Sequence, residues 1–245
     1  MELLLGIDLE TLVSRFGPIP AERAIHILKQ VCHSLEEAHQ NGLTHRDIKP
    51  ANIFVTGIGT ELDFVKVLDF GLVQLRSMQI GEGAPLTTET GVACTPAYAA
   101  PEIARGEASY DHRVDLYAMG CVAYWLLTGQ RVFESGTVMQ MLFDHARTPP
   151  PPPHTRTELP IPDDLERLIM ECLEKDPGRR PGSASVLARR LSSCQVPERW
   201  TYERAESWWN AHAPAAAGNR PVADVLLSHE GMASVRAVRP RRRPG

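Results

Sequence analysis

The 245-residue chain is 43% hydrophobic and 23% charged, enough apolar side chain for one sizeable core and not the composition of a disordered chain. A formal net charge of −4 argues against a general nucleic-acid binder, and the local basic run Arg239-Pro240-Arg241-Arg242-Arg243 reads as a solvated end. The five cysteines, Cys32, Cys94, Cys121, Cys172 and Cys194, are odd in number, scattered and without a C-x-x-C pair, which suits free thiols in a reducing cytoplasm better than disulfides or a zinc site.

Met1 to Leu9 is a short apolar run interrupted by Glu2 and Asp8; lacking a basic start it does not read as a convincing signal peptide, and on its residues alone it reads as a strand. Asp8 to Ser14 follows as a short helix. From Pro20 to Gln40 the residues Ile25, Leu28, Cys32, Leu35 and Ala38 share one helical face, and Asn41-Gly42 stops the helix. His26, His33 and His39 lack the i, i+4 spacing of a helical metal pair and read as ordinary helix histidines. Strands are expected at Ile53 to Thr56 and Phe64 to Leu68, either side of a hairpin turn at Gly57-Ile58-Gly59-Thr60.

Leu116 to Leu127 is the longest apolar run, too short to span a bilayer and apolar all round, and is expected as a buried central helix. A helix near Thr137 to Ala146 precedes the proline run Pro149 to Pro153, which reads as a rigid connector in preference to a polyproline ligand. Leu165, Leu168, Ile169, Cys172 and Leu173 mark another helix, and Ser183 caps a further one carrying Val186, Leu187 and Leu191. Trp200, Trp208 and Trp209 fall on an expected helix from Glu198 to Ala211 whose aromatic side docks on the domain, an interaction surface being the sharper alternative. From Pro214 onward Ala, Gly, Pro and Arg dominate, and mobility is expected.

Three motifs occur in one order: His45-Arg46-Asp47-Ile48-Lys49-Pro50-Ala51-Asn52, then Asp69-Phe70-Gly71, then Cys94-Thr95-Pro96-Ala97-Tyr98-Ala99-Ala100-Pro101-Glu102. Either Asp47 or Asp69 alone reads as a turn or cap aspartate, but the three motifs together are far more specific than any one. From about Met1 to about Leu191 the chain resembles the bacterial eukaryotic-like (Hanks-type) serine/threonine protein kinases. The resemblance implies a mainly α fold like a protein-kinase C-lobe, a helical bundle around a buried central helix with short β-hairpins carrying the catalytic loop and the metal-binding turn.

It also implies chemistry: transfer of the γ-phosphate of Mg-ATP to Ser or Thr hydroxyls of protein substrates. On that resemblance Asp47 is the base, Lys49 neutralises the moving phosphoryl group, Thr95 helps position the acceptor, and Asn52 and Asp69 bind Mg²⁺. Hard Mg²⁺ wants oxygen donors, so one amide and one carboxylate suit it. The backbone near Glu2 and Leu4 would meet adenine, Asp8 the ribose, and Leu9 and Phe54 the base. Glu102 is expected to pair with Arg180, Asp115 to brace the catalytic-loop backbone, and His45 and Phe70 to stack in an apolar column. Arg46 before Asp47 implies control by phosphorylation of the segment holding Thr87, Thr88 and Thr90, although each taken alone reads more readily as a solvated loop threonine. Cys94 stands where the family has Gly.

A Gly-rich loop and its strand lysine should precede the catalytic loop by a small lobe of roughly 60 residues or more. Only 44 residues precede His45, and Gly57-Ile58-Gly59 and Lys66 lie in the wrong places to substitute. The expected organisation is therefore an inter-lobe hinge remnant over 1–9, a C-lobe over 10–194, a Trp-containing helical extension over 195–213 and a flexible basic tail over 214–245. An N-lobe from upstream sequence would complete the site, and the chain alone is expected to turn over poorly. The alternative is a non-catalytic, pseudokinase-like binding scaffold, against which the retention of Asp47, Lys49, Asn52 and Asp69 counts.

Overall fold

Asp8 ends a short strand and starts a helix, and its side chain explains the switch. In the computed structural model, which describes residues 6–58, 61–70 and 95–212, β1 (Gly6–Asp8) runs directly into α1 (Leu9–Phe16). The Asp8 carboxylate accepts from the Thr11 backbone N–H at 2.8 Å and from its hydroxyl at 2.7 Å, satisfying an otherwise unpaired donor of the first turn. The apolar stripe of α2 (Ala21–Gln40) is buried as its spacing requires, and the chain leaves it through Gly42 at φ +73°.

A single 3₁₀ turn at Pro50–Asn52 feeds β2 (Ile53–Ile58), which folds back as β3 (Glu61–Val67). The three strands form an antiparallel sheet in the order β1-β2-β3, with Asp8 opposite Phe54 and Phe54 opposite Lys66. Ile53 and Val55 point into the core, while Phe54 between them is half-buried on the other face. Both strands are longer than expected at the turn side, because the ladder continues to Ile58 and Glu61 through an irregularity after Thr56.

The remaining helices are α3 (Pro101–Ala104), α4 (Arg113–Thr128), α5 (Val138–Arg147), α6 (Asp163–Cys172), α7 (Ala184–Ser193) and α8 (Tyr202–His212). Helix α4 is the axis of the helical core: from Val114 to Thr128 every residue except Trp125 is buried. Its middle comes so close to α6 that a Cβ on Gly120 would lie 2.8 Å from the Cys172 Cβ. Side-chain oxygens of Thr137 and Ser183 cap α5 and α7 by accepting from Gln140 and Val186. The Pro149–Pro153 run joins α5 to α6.

Helix α8 begins later than Glu198. Thr201 accepts from the Arg204 and Ala205 N–H groups and acts as the N-cap, so Trp200 stands before the helix. Cys32, Cys121 and Cys172 are buried free thiols, and burial pushes the Cys172 thiol up to about 12. Among the described residues no helix is long and apolar enough to cross a membrane. Glu2, Leu4, Gly59, Thr60, Gly71, Thr87, Thr88, Thr90, Cys94 and the segment from residue 213 lie outside the described residues.

Candidate active site

The loop between α2 and β2 is built around one buried carboxylate. Asp115, in the first turn of α4, accepts from the backbone N–H of His45 on Oδ2 and of Arg46 on Oδ1, both at 2.8 Å. His39, near the end of α2, donates through Nε2 to the same Oδ2 at 2.8 Å. Three donors on one buried acceptor pair group for group, and the loop can therefore hold Arg46 at φ +66°, outside the usual range for such a residue. Helical spacing could not reveal the partner of His39, which lies 76 residues away.

His45 then ties the loop to the turn after β3. Its Nε2 donates to the Leu68 carbonyl at 2.8 Å, its Nδ1 accepts from the Asp47 N–H at 3.3 Å, and its ring meets Phe70 edge-on at 4.7 Å. These contacts select the Nε2–H tautomer. The Leu68 N–H donates to the Asn52 carbonyl at 2.9 Å, so the hairpin brings the backbone that precedes Asp69 against that of Asn52. Asp69 is exposed and sits at φ +63°, a conformation Asp tolerates better than most side chains.

Asp47, Lys49, Asn52 and Thr95 converge. Lys49 Nζ lies 2.6 Å from Asp47 Oδ2 and 3.0 Å from Thr95 Oγ1, which itself donates to Asp47 Oδ1 at 2.8 Å. Asn52 Nδ2 donates to the Asp47 carbonyl at 2.8 Å and to its Oδ2 at 3.1 Å. With its amide nitrogen so engaged, the Asn52 Oδ1 faces no hydrogen-bond donor among the described residues and is available to a hard cation. An amide oxygen and an exposed carboxylate are oxygen donors of the kind Mg²⁺ uses when phosphate oxygens and waters complete its shell. Among the described residues no group of three or more His, Cys, Asp or Glu could form an all-protein metal cage.

Glu102 and Arg180 face each other bidentately at 2.8 and 2.7 Å, both buried, with Arg180 also donating to the Glu174 and Arg113 carbonyls. The expected hinge contacts divide. Asp8 and Phe54 are half-buried neighbours across β1 and β2. Leu9 is corrected: it is fully buried as the first residue of α1 and offers no surface to a base.

A family model for the protein kinase domain matches residues 1–191. The chain belongs to the protein kinase family. It is similar to the serine/threonine-protein kinase pkn3 of Myxococcus xanthus, 40% identical over 81% of this chain and 36% of that protein. It is 37% identical to the serine/threonine-protein kinase PknB of Mycobacterium leprae over 81% of this chain and 31% of that protein. The chain thus spans about a third of the length of these curated relatives. Among solved structures, the Rad53 kinase domain and SCD2 in complex with AMPPNP matches with a TM-score of 0.62 at 25% identity, over 82% of this chain and 71% of that one. Rad53 1–466 in complex with AMP-PNP gives a TM-score of 0.61 at 28% identity, over 78% of this chain and 45% of that one.

Proposed function

We propose that this protein kinase chain carries the phosphoryl-transfer half of a serine/threonine kinase, moving the γ-phosphate of Mg-ATP to a protein hydroxyl. The observation that supports it most is the contact of Asp47 with both Lys49 and Thr95. A carboxylate held by its own loop, with a lysine 2.6 Å away and a hydroxyl at 2.8 Å, defines the space where an acceptor alcohol would sit. Asp47 orients the hydroxyl and takes its proton. Lys49 offers positive charge where negative charge develops, and Thr95 keeps both in place. Mg²⁺ bound by Asn52 and Asp69 would supply charge neutralisation for the triphosphate. The relatives named above are serine/threonine kinases, which accords with Lys49 and Thr95 serving Ser or Thr acceptors.

Asp8 and Phe54 form the edge on which the nucleoside would rest. A Gly-rich loop over the phosphates and a strand lysine holding them are the groups that this chemistry needs beside Asp47, Asn52 and Asp69. Arg46 is a receptor for a phosphorylated threonine: its Nε is buried without a partner among the described residues, a costly state that an anion would relieve.

Ligand-induced stabilisation tests the nucleotide part of this reading. The native protein should melt higher with Mg-ATP present than with either component alone, because a ligand that binds only the folded state stabilises it by mass action. The Asp69→Asn variant should lose the Mg²⁺-dependent increment. An increment untouched by that substitution would remove Asp69 from the metal site.

A further inference from the structure

The segment from Val196 to His212 lies beyond the residues matched by the kinase family model, yet two of its indoles complete the hydrogen bonding of a buried carboxylate in β3. Asp63, in β3, is fully buried and takes four donors: Arg23 Nε and Nη2 at 2.9 Å each, Trp200 Nε1 at 2.7 Å and Trp209 Nε1 at 2.8 Å. The Arg23 guanidinium lies 3.8 Å from the Trp208 ring centroid and 5.1 Å from that of Trp200. Arg204 pairs with Glu22 and faces Trp200 at 5.1 Å. Two indole N–H groups fill the remaining hydrogen-bond sites of the carboxylate, while Arg23 Nη1 is buried without a hydrogen-bond partner.

The position of this knot matters. Asp63 has φ +56°, and Gln30 of α2 bridges the strand by donating to the Asp63 carbonyl at 2.8 Å and accepting from the Val65 N–H at 3.1 Å. Asp63 is therefore where β3 is pinned to the body of the lobe. Four residues along, the strand ends, and Leu68 and Asp69 follow; β2, paired to it, starts directly after Asn52. The same segment reaches α1 at its other end, where Trp208 and His212 each meet Phe16 edge-on at 5.2 Å. It thus spans from the helix that Asp8 caps to the strand that leads to Asp69.

We propose that Trp200 and Trp209 are positioning residues for the candidate site: by donating to Asp63 they fix the β2–β3 hairpin, and with it the placing of Asn52 against Asp69 and of Phe54 beside Asp8. The functional meaning rests on the kinase reading above, while the mechanical coupling does not. Removing an indole N–H leaves a buried carboxylate oxygen short of a donor, and the cheapest relaxation is for β3 to move toward water. The hairpin, whose β3 is an edge strand paired only with β2, would yield before α4 does.

Hydrogen exchange on the 245-residue chain, followed by mass spectrometry, separates coupling from bulk stability. Trp200→Phe and Trp209→Phe, singly and together, should speed exchange of amides 53–68 by about 10-fold or more while leaving α4 unchanged. Parallel acceleration of the hairpin and α4 would show a merely global role, and no acceleration would show no role; either overturns the proposal. Should the double variant fail to fold, Arg204→Ala, which loosens Trp200 from outside, allows the same comparison. In the native enzyme the single variants should raise the Mg²⁺ concentration needed for half-maximal rate more than they lower the rate at saturating Mg²⁺. An enzyme without any nucleotide response would undo the kinase reading, and the exchange pattern would still decide the coupling.

Discussion

Thr95 Oγ1 donates to Asp47 Oδ1 at 2.8 Å, joining two residues 48 positions apart. With Lys49 bonded to both, the hydroxyl is a positioning group, and its loss should act on the rate more than on substrate binding. In the native protein Thr95→Ala is expected to lower kcat by about 10²-fold, with Thr95→Ser restoring most of it. Steady-state kinetics on a peptide substrate checks this; a Ser variant as impaired as the Ala variant would show that the methyl group, not the hydroxyl, is needed.

Asp115 supports the loop through three donors, two of them backbone. Asp115→Ala strands those N–H groups in a buried place and should destabilise the fold by about 3 kcal/mol or more. Urea unfolding monitored by circular dichroism measures it, with an unchanged m-value expected because the same surface is exposed. His39→Ala, which removes a side-chain donor only, should cost less.

The Glu102–Arg180 pair is buried on both sides. Truncating either partner leaves an uncompensated charge, so Glu102→Ala and Arg180→Ala should each cost about 3–5 kcal/mol. The double variant should cost well under their sum, since the second substitution removes the charge that the first exposes. A strictly additive double-mutant cycle would contradict direct pairing.

These contacts also show what can be read in the chain before its structure. The α4 axis was legible because a run apolar on every side has nowhere to go but inside, and the site motifs because their chemistry needs particular residue types close together. The Asp63 knot was not legible. Asp63 sits in a short strand where an acidic residue reads as solvent-facing, its partners lie 40, 137 and 146 residues away, and its backbone departs from strand geometry. Leu9 was misplaced for a related reason: an apolar residue after a hinge reads equally as ligand floor or as core, and only packing decides.

Burial sets a pH dependence. His145 lies inside the core with its Nδ1 bonded to the Tyr117 hydroxyl at 2.9 Å, and burial, aided by nearby Lys175, lowers its pKa from 6.5 to about 4. Between those values the unfolded chain binds a proton that the folded chain refuses. This contribution to stability is therefore fully present above pH 6.5 and is lost as the pH falls toward 4, by about 3 kcal/mol at most. Unfolding free energies from pH 4 to 7 should rise more steeply for the wild-type chain than for His145→Gln. Equal slopes would mean that His145 titrates alike in both states.

Phosphate transfer itself is the most direct measurement. The native protein, as its gene encodes it, is incubated with radiolabelled Mg-ATP and a protein acceptor, and the acid-stable phosphoamino acids are identified. The account predicts phosphoserine or phosphothreonine, abolished by Asp47→Asn with the fold intact. Transfer at the wild-type rate by the Asp47→Asn protein would contradict it.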